Sequence, residues 1–264
     1  MINKELLWND LKKIRETSPL VHNITNYVVM NNTANALLSL GASPIMAHAL
    51  DEVADIASIS AALVINIGTL SNEWIDAMMI AGKTASSKGI PVVLDPVGAG
   101  ATNYRTNTCL QIIKECKPSI IRGNASEILA LTSSINKTKG VDSVATSESA
   151  IDAAQWLAHE YNTVVTISGA IDYITDGSMV EEVKNGSVMM TKVTGLGCTA
   201  SALTGAFAAV NRNYLQAATH AMAVMGIAGE MAVKKSNGPG SLQVHFLDTL
   251  FNLSFMDIEQ TLIV

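Results

Sequence analysis

A glycine-containing segment in the last third of the chain has the residue types of an anion-binding loop. Residues 192–210 read KVTGLGCTASALTGAFAAV, so an Ala-rich stretch of helical character follows Gly195, Gly197 and Cys198. Glycines let a backbone approach a ligand closely, and the free N–H groups and dipole at a helix N-terminus favour negative charge. The segment therefore predicts a phosphate-binding loop, although a tight turn packed against a sheet would also explain the glycines.

Cys198 lies at the mouth of this loop. We expect the pKa of a thiol at a helix N-terminus to be lowered, which would make the thiolate more accessible than in a free cysteine. Such a thiolate could accept the proton of a substrate hydroxyl. Covalent thiol catalysis would need a neighbouring imidazole, and the five histidines are scattered along the sequence. The sequence therefore does not favour covalent catalysis by Cys198.

Two acidic residues and one arginine lie close to the ends of apolar segments. Asp95 is near the end of PVVLDP, and Glu127 comes one helical step after SIIRGN, which contains Arg122 and ends at Asn124. Mg²⁺ is held by one or two carboxylates, waters and phosphate oxygens, and a triphosphate is a suitable partner for the guanidinium. Together these residues predict a magnesium-phosphate site. Alternatively, Glu127 complements a helix dipole and Asp95 caps a turn.

Four apolar segments are expected to position these residues. They are ALVINIG, PVVLDP, SIIRGN and TVVTISG, at residues 62–68, 91–96, 119–124 and 163–169. Helix-like, Ala-rich stretches separate them, and strands that are apolar throughout are typical of a parallel sheet covered by helices on both faces. The pattern predicts a three-layer α/β/α fold with a largely parallel central sheet, whose ligand sites lie beyond the carboxyl ends of the strands.

Length and composition limit the possible classes of protein. A chain of 264 residues is consistent with one domain over residues 1–264. The formal net charge of −6, without a Lys/Arg block, argues against a nucleic acid partner. Residues 217–233 are apolar but contain His220 and Glu230, which predicts a buried core helix rather than a membrane span. The three cysteines form neither a disulfide framework nor a zinc pair, so we expect a reducing compartment, the cytoplasm.

Five segments, which together span most of the chain, carry a resemblance to a known family. They are VHNITNYVVMNNTANALLSLGASPIMA, VVLDPVGAGAT, IIRGNASEI, TISGAIDYITDG and VTGLGCTASA, at residues 21–47, 92–102, 120–128, 166–177 and 193–202. Their order and content resemble the hydroxyethylthiazole kinases of thiamine salvage, within the ribokinase-like superfamily. The resemblance implies ATP-dependent phosphorylation of 4-methyl-5-(2-hydroxyethyl)thiazole with Mg²⁺, in a homotrimer whose active sites lie between neighbouring subunits.

The resemblance also implies roles for individual residues. The N-x-x-E metal element of the superfamily matches Asn124 to Glu127. Most ribokinase-like kinases have an aspartate as base at the position of Cys198, where the thiazole kinases have a cysteine. Because positioning and charge neutralisation dominate phosphoryl transfer, we predict that Cys198 marks the place of the substrate hydroxyl and assists proton removal without being indispensable. The implied site residues are Cys198 for catalysis; Met46, Gly195 and Asn26 for the thiazole; Arg122, Ser168, Gly197 and Asn124 for ATP; and Asp95 and Glu127 for the metal.

Two alternatives remain open at this point. Other ribokinase-like enzymes phosphorylate a hydroxymethylpyrimidine or pyridoxal, or dehydrate a hydrated nicotinamide cofactor, and only details of the pocket separate them. The second alternative is an oligomer that senses a nucleotide without turnover. A sensor would be expected to lose Asp95, Glu127 or the glycine loop, and all of these are present.

Overall fold

A computed structural model describes residues 2–138 and 149–263 of the chain. The strands are β1 (Leu20–Ile24), β2 (Ser43–Ile45), β3 (Ala62–Asn66), β4 (Val92–Asp95), β5 (Ile120–Asn124), β6 (Val164–Ser168), β7 (Asp172–Thr175) and β8 (Val180–Val183). The helices are α1 (Lys4–Thr17), α2 (Met30–Leu40), α3 (Val53–Ile59), α4 (Asn72–Ser87), α5 (Asn103–Cys116), α6 (Ala125–Thr138), α7 (Ala150–Tyr161), α8 (Leu196–Val210), α9 (Tyr214–Lys234), α10 (Pro239–Asn252) and α11 (Phe255–Thr261). A short 3-10 helix (Val188–Lys192) precedes α8.

The strands form one sheet in the order β2-β1-β3-β4-β5-β6-β7-β8. Neighbouring strands from β2 to β6 are parallel, and β7 and β8 extend the sheet antiparallel. The register places Asn66 beside Asp95 and Asn124 beside Ser168. The carboxyl ends of the parallel strands therefore meet at one edge, as the sequence predicts.

Helices cover both faces of this sheet. On one face the core contains residues of α1, α2 and α8 to α11, and on the other face it contains residues of α3 to α7. Along β4, Val93 belongs to the first core, whereas Val92 and Leu94 belong to the second. Strands β3 to β6 thus bury both of their faces over most of their length, which is why their sequences are largely apolar. The predicted three-layer α/β/α fold is confirmed.

Helix α9 accounts for the longest apolar stretch of the sequence. Most of its residues are buried against α8 and α10, which confirms a core helix over residues 217–233. Its one buried histidine, His220, is satisfied by a hydrogen bond of 2.7 Å between Nδ1 and Oδ2 of Asp10. In the described part of the chain, no helix has both the length and the apolarity needed to cross a membrane.

The polar segment 135–149, which the sequence predicts to be an exposed loop, is described only at its two ends. Residues 135–138 still belong to α6, so the helix continues further than predicted. Ser149 caps α7, and its side chain and that of Asp152 hydrogen-bond to each other's backbone N–H groups. The loop prediction for residues 139–148 lies outside the described residues.

Candidate functional site

The predicted glycine loop does open a helix. Gly195 is the N-cap of α8 with φ of +86°, a conformation that favours glycine. A Cβ atom at this position would also lie 2.6 Å from Cγ1 of Val29, so a larger residue would collide with the segment that leads into α2. Gly197 and Cys198 fall in the first turn of α8, where backbone N–H groups are free to bind an anion.

Arg122 brings a buried positive charge to this helix start. It lies on β5 with only 8% of its surface exposed, and Nη1 donates a hydrogen bond of 2.9 Å to the carbonyl oxygen of Gly197. A Cβ atom at Gly197 would lie 3.2 Å from Nη1, so the glycine permits this close approach. The Nε–H of Arg122 has no hydrogen-bond partner among the described residues. A buried guanidinium with an unused donor is suited to binding an anion.

A cavity of about 480 Å³ lies beside this arginine. Arg122, Ser168 and Gly197 line one part of it, so the structure brings together three of the four residues predicted to bind ATP. The fourth, Asn124, does not line the cavity; its exposed side chain caps the start of α6. The same cavity has an apolar wall, to which Met190, Met222 and Met225 contribute.

Two glycines on α9 shape that apolar wall. A Cβ atom at Gly226 would overlap the carbonyl oxygen of Asn185, and one at Gly229 would overlap the sulfur of Met190. The chain from Asn185 to Met190 can therefore pack directly on α9. Asn185 is held further by its Nδ2 donors, which reach Oε1 of Glu230 at 3.2 Å and the carbonyl oxygen of Thr261 at 2.8 Å.

A second group of residues, which we call the polar chain, consists of Asn26, Asn66, Asp95, Ser201 and Cys198. Nδ2 of Asn26 donates to Oδ1 of Asn66 at 2.8 Å, and Nδ2 of Asn66 donates to Oδ2 of Asp95 at 2.7 Å. The hydroxyl of Ser201 donates to the same carboxylate oxygen at 2.8 Å, and Nδ2 of Asn26 also lies 3.5 Å from Sγ of Cys198. The polar chain links the ends of β3 and β4 to the first turns of α8.

The pKa of Cys198 is raised, so the predicted lowering is wrong. Loss of solvation is the largest cause, because the thiol is only partly exposed, and the negative charge of Asp95 raises the pKa further. Hydrogen bonds from Asn66 and Asn26 and the charge of Arg122 oppose this shift without cancelling it. Cys198 is thus a neutral thiol near pH 7, and its loss of solvation outweighs the favourable helix N-terminus.

Asp95 is one of two carboxylates at this edge of the sheet. Burial raises its pKa to about 6, and the charge of nearby Glu127 raises it as well; Arg122 and the hydrogen bonds from Ser201 and Asn66 act in the opposite direction. Both hydrogen bonds to the carboxylate reach Oδ2, and Oδ1 has no partner among the described residues. One oxygen of Asp95 is therefore open to a further ligand.

Glu127 ties two loops together at the same edge. Its Oε2 accepts a hydrogen bond of 2.8 Å from the backbone N–H of Asn124, and its Oε1 accepts one of 2.8 Å from the N–H of Gly98. The side chain of Asn124 in turn accepts from the N–H of Glu127 at 3.0 Å. The helix-capping alternative is thus present in the structure, whereas a metal role for Asp95 and Glu127 stays a prediction. No cluster of three or more His, Cys, Asp or Glu side chains suited to a metal ion occurs within residues 2–138 and 149–263.

Met46 lies apart from the cavity. It directly follows β2, which pairs with β1, so it is at the same edge of the sheet as Asn26. The ring of Trp74 contacts the rings of Tyr27 at 4.8 Å and His48 at 4.5 Å between centroids, and His48 follows Met46 by two residues. Contact of Met46, Gly195 and Asn26 with a substrate stays a prediction.

Sequence reasoning missed three residues that the structure places in this region. Asn66 and Ser201 complete the polar chain. Asp172, on β7, lines the cavity, and its Oδ1 accepts a hydrogen bond of 2.9 Å from the N–H of Gly169. Burial raises the pKa of Asp172 to about 6, against the opposing effects of that hydrogen bond and of Arg122. A polar residue at the end of an apolar strand was a usable signal for Asn66.

Comparisons with known proteins agree with this geometry. Residues 11–255 match the model of the hydroxyethylthiazole kinase family. A protein of Syntrophus aciditrophicus named hydroxyethylthiazole kinase is 57% identical over 262 residues, which cover 99% of this chain and 97% of that protein. One of the same name from Leptospira biflexa is 59% identical and covers 96% and 95% of the two chains.

Solved structures give the same result. The structure of a hydroxyethylthiazole kinase protein from Pyrococcus horikoshii OT3 superposes with a TM-score of 0.90 at 42% identity, over 98% of both chains. A pyridoxal kinase of Bacillus subtilis shares the fold at 18% identity, with a TM-score of 0.60 over 80% of this chain and 92% of that chain. A ribokinase-like superfamily protein of Enterococcus faecalis shares the fold at 9% identity, with a TM-score of 0.68 over 99% of this chain and 95% of that chain. The predicted ribokinase-like fold is confirmed, and the chain belongs to the hydroxyethylthiazole kinase family.

Proposed function

We propose that the chain transfers the terminal phosphate of ATP to the hydroxyl of 4-methyl-5-(2-hydroxyethyl)thiazole and so serves thiamine biosynthesis. The observation that carries this proposal is the start of α8, where Gly197 and Cys198 are adjacent. Gly197 lines the cavity beside Arg122, and Cys198 belongs to the polar chain. A phosphate donor and an alcohol acceptor bound on these two sides would meet at one helix N-terminus.

On the donor side, the cavity offers charge neutralisation. The guanidinium of Arg122, which lines the cavity, and the free backbone N–H groups of α8 are the groups suited to phosphate oxygens. Phosphoryl transfer passes through a loose transition state in most analyses, so positioning and electrostatic stabilisation dominate the rate. The apolar wall with Met190, Met222 and Met225 suits the nucleobase.

On the acceptor side, the polar chain orients the reacting hydroxyl. The hydroxyl oxygen forms the new bond to phosphorus while the bond from phosphorus to the ADP oxygen breaks, and the hydroxyl proton is released to solvent water. Cys198, as a neutral thiol with a raised pKa, marks the place of the hydroxyl, so its contribution to the rate is one of positioning and is modest. Asn26 holds the thiol from one side and is itself fixed by Asn66.

Magnesium fits the two carboxylates at the edge of the sheet. Oδ1 of Asp95 is free of hydrogen bonds among the described residues, and Glu127 is close enough for its charge to raise the pKa of Asp95. A cation between the nucleotide phosphates and these groups would relieve that repulsion, and Mg²⁺ is commonly held by one or two carboxylates together with phosphate oxygens and water. When bound, Mg²⁺ would neutralise charge that develops on the phosphate oxygens.

The substrate side of the site is proposed to be completed by a second subunit of a homotrimer. Tyr27 and Val28, which follow Asn26, are 66% and 65% exposed, and Leu50, which follows Met46 by four residues, is 47% exposed. Apolar side chains exposed beside a candidate site are suited to a subunit contact. A homotrimer in the cytoplasm is the state that we expect for the active protein.

The proposal is tested by ADP release from purified protein with MgATP and one of three acceptors at equal concentration. The acceptors are hydroxyethylthiazole, a hydroxymethylpyrimidine and pyridoxal, with a reaction lacking acceptor as the blank. We expect release that depends on the thiazole alone. Release with another acceptor would keep the kinase and reassign the substrate, and tight ATP binding without acceptor-dependent release would identify a nucleotide sensor.

A further inference from the structure

One carboxylate in the cavity has no role in the reaction as described so far. Asp172 is 8% exposed and lines the same cavity as Arg122 and Gly197, which are suited to phosphate. Its Oδ1 accepts the N–H of Gly169, but Oδ2 has no hydrogen-bond partner among the described residues. An anionic oxygen that faces a ligand cavity can accept a hydrogen bond from a donor group, whereas it repels a phosphate.

The strand register shows where along the cavity this carboxylate lies. Asp172 begins β7, which pairs on one side with β6, whose last residue is Ser168. On the other side β7 pairs with β8, where Asp172 is the register partner of Val183, and the chain continues from Val183 to Asn185. Asp172 is therefore placed between the phosphate-facing part of the cavity, near Ser168 and Arg122, and the segment from Asn185 that carries the apolar wall.

A nucleotide has the matching order of chemical groups. Its phosphates and its nucleobase are joined by a sugar, whose hydroxyls are hydrogen-bond donors. With phosphates at Arg122 and the base against the methionines, the sugar would pass the middle of the cavity. We propose that Asp172 accepts a hydrogen bond from a ribose hydroxyl of the nucleotide and thereby favours ATP over a nucleotide that lacks this hydroxyl. This inference rests on the proposed use of ATP by the cavity.

The test compares ATP with 2′-deoxyATP and 3′-deoxyATP, in wild type and in Asp172→Asn and Asp172→Ala. The asparagine keeps an acceptor for the N–H of Gly169, whereas the alanine removes every polar atom of the side chain. Asp176→Asn is the matched control, because Asp176 is at the turn between β7 and β8 and does not line the cavity. The quantity measured is the ratio of kcat/KM for ATP to that for each deoxynucleotide, with thiazole as acceptor.

For at least one deoxynucleotide we expect a ratio of about 10 in the wild type and in Asp176→Asn, as for one hydrogen bond to a charged group. In Asp172→Asn the ratio should fall to about 3, and in Asp172→Ala to about 1. A purely structural role would lower activity with all three nucleotides equally and leave the ratio unchanged. That result, or a wild type that does not distinguish the nucleotides, would overturn the proposal.

Calorimetric titration of the same nucleotides separates this proposal from the proposed function. If no acceptor supports ADP release, the kinase assignment fails. The binding ratio of ATP to the deoxynucleotides still reports on Asp172 in that case. A ratio near 10 that is lost in Asp172→Ala would support the sugar contact, and equal binding of all nucleotides to the wild type would contradict it.

Discussion

Asp95 and Asp172 are two buried carboxylates of similar acidity in different surroundings. Burial raises the pKa of each to about 6, and Arg122 opposes the shift in both. Asp95 accepts hydrogen bonds from two side chains, whereas Asp172 accepts one from a backbone N–H and faces the cavity. A similar pKa therefore does not imply a similar role: Asp95 is held by two side-chain donors and keeps one oxygen for the proposed cation, whereas Asp172 is held by one backbone N–H and keeps one oxygen for a ligand in the cavity.

The largest effect is expected from Asp95→Asn. The substitution removes the charge proposed to face Mg²⁺ and puts an amide NH2 in place of the free oxygen Oδ1, whereas the remaining oxygen can still accept from Asn66 and Ser201. We expect kcat to fall about 10²–10³-fold, the size seen when one electrostatic stabiliser of a transition state is lost. Thiazole-dependent ADP release measures this, with Asp172→Asn as comparison, for which kcat should change no more than about threefold. An equal fall in both variants would abolish the distinction between them.

A smaller effect is expected when the network is broken at Asn66. Asn66→Ala leaves Asn26 without its acceptor and Asp95 without one of its two donors, so we predict a fall in kcat of about 30-fold. Ser201→Ala removes one donor to Asp95 and leaves the hydrogen bond of Asn26 in place, so we expect kcat to fall about threefold. The two variants are compared by steady-state kinetics after their folding has been checked by circular dichroism. Equal losses would show that Asn66 does not act through Asn26.

Cys198→Ser tests the acceptor side. A hydroxyl retains the hydrogen bond to Asn26, and the thiol with its raised pKa is not an ionised base near neutrality. We expect about a tenfold loss of kcat, below the range for a full general base. The ratio of wild-type to variant kcat should stay constant from about pH 6.5 to 8, as required for a neutral thiol. Loss of essentially all turnover with normal ligand binding would contradict the modest role of Cys198.

The smallest effect concerns stability, and it isolates the burial of Asp172. Its folded-state pKa of about 6 lies above the usual 3.8, so the native protein holds the proton more tightly than the unfolded chain. Asp172 therefore raises the free energy of unfolding below about pH 4, and this contribution is lost as the pH rises through about 6. Asp172→Asn removes this decline. The free energy of unfolding of the variant, relative to that of the wild type, should therefore rise by about 2 kcal/mol from pH 4 to pH 8.

Urea unfolding of the two proteins at pH 4 and pH 8 measures this difference. Asp176→Asn is again the control, because hydrogen bonds from Met179 and Ser178 lower the pKa of that exposed carboxylate. Its removal should shift stability in the opposite direction or leave it unchanged. A wild type and an Asp172→Asn variant with parallel pH profiles would show that burial does not penalise the charge of Asp172.

The fold was predictable where burial leaves a simple pattern. Strands β3 to β6 are covered on both faces, so their sequences are apolar throughout and were identified from sequence. Strand β1 escaped because it contains His22 and Asn23, which are buried but polar. Strands β7 and β8 also escaped. They lie at the antiparallel end of the sheet, where β8 is partly exposed and carries Glu181 and Glu182, so the continuous apolar pattern is missing.

The candidate site was predictable only in part. Arg122, Ser168 and Gly197 could be grouped because the carboxyl ends of parallel strands share one edge with the helix start. The roles of Asn66 and Asp172 depend on strand register and on contacts between distant segments, which a single sequence does not contain. The acidity of Cys198 was predicted in the wrong direction because its burial depends on the same distant contacts.

A competition between acceptors identifies the substrate of the protein. Wild-type protein is mixed with MgATP and equal concentrations of hydroxyethylthiazole, a hydroxymethylpyrimidine and pyridoxal, and the phosphorylated products are identified by mass. Because all acceptors compete for one site, the product ratio gives the ratio of kcat/KM values. We expect hydroxyethylthiazole phosphate to be the dominant product. A dominant phosphate of either other acceptor, or no phosphorylated product, would contradict it.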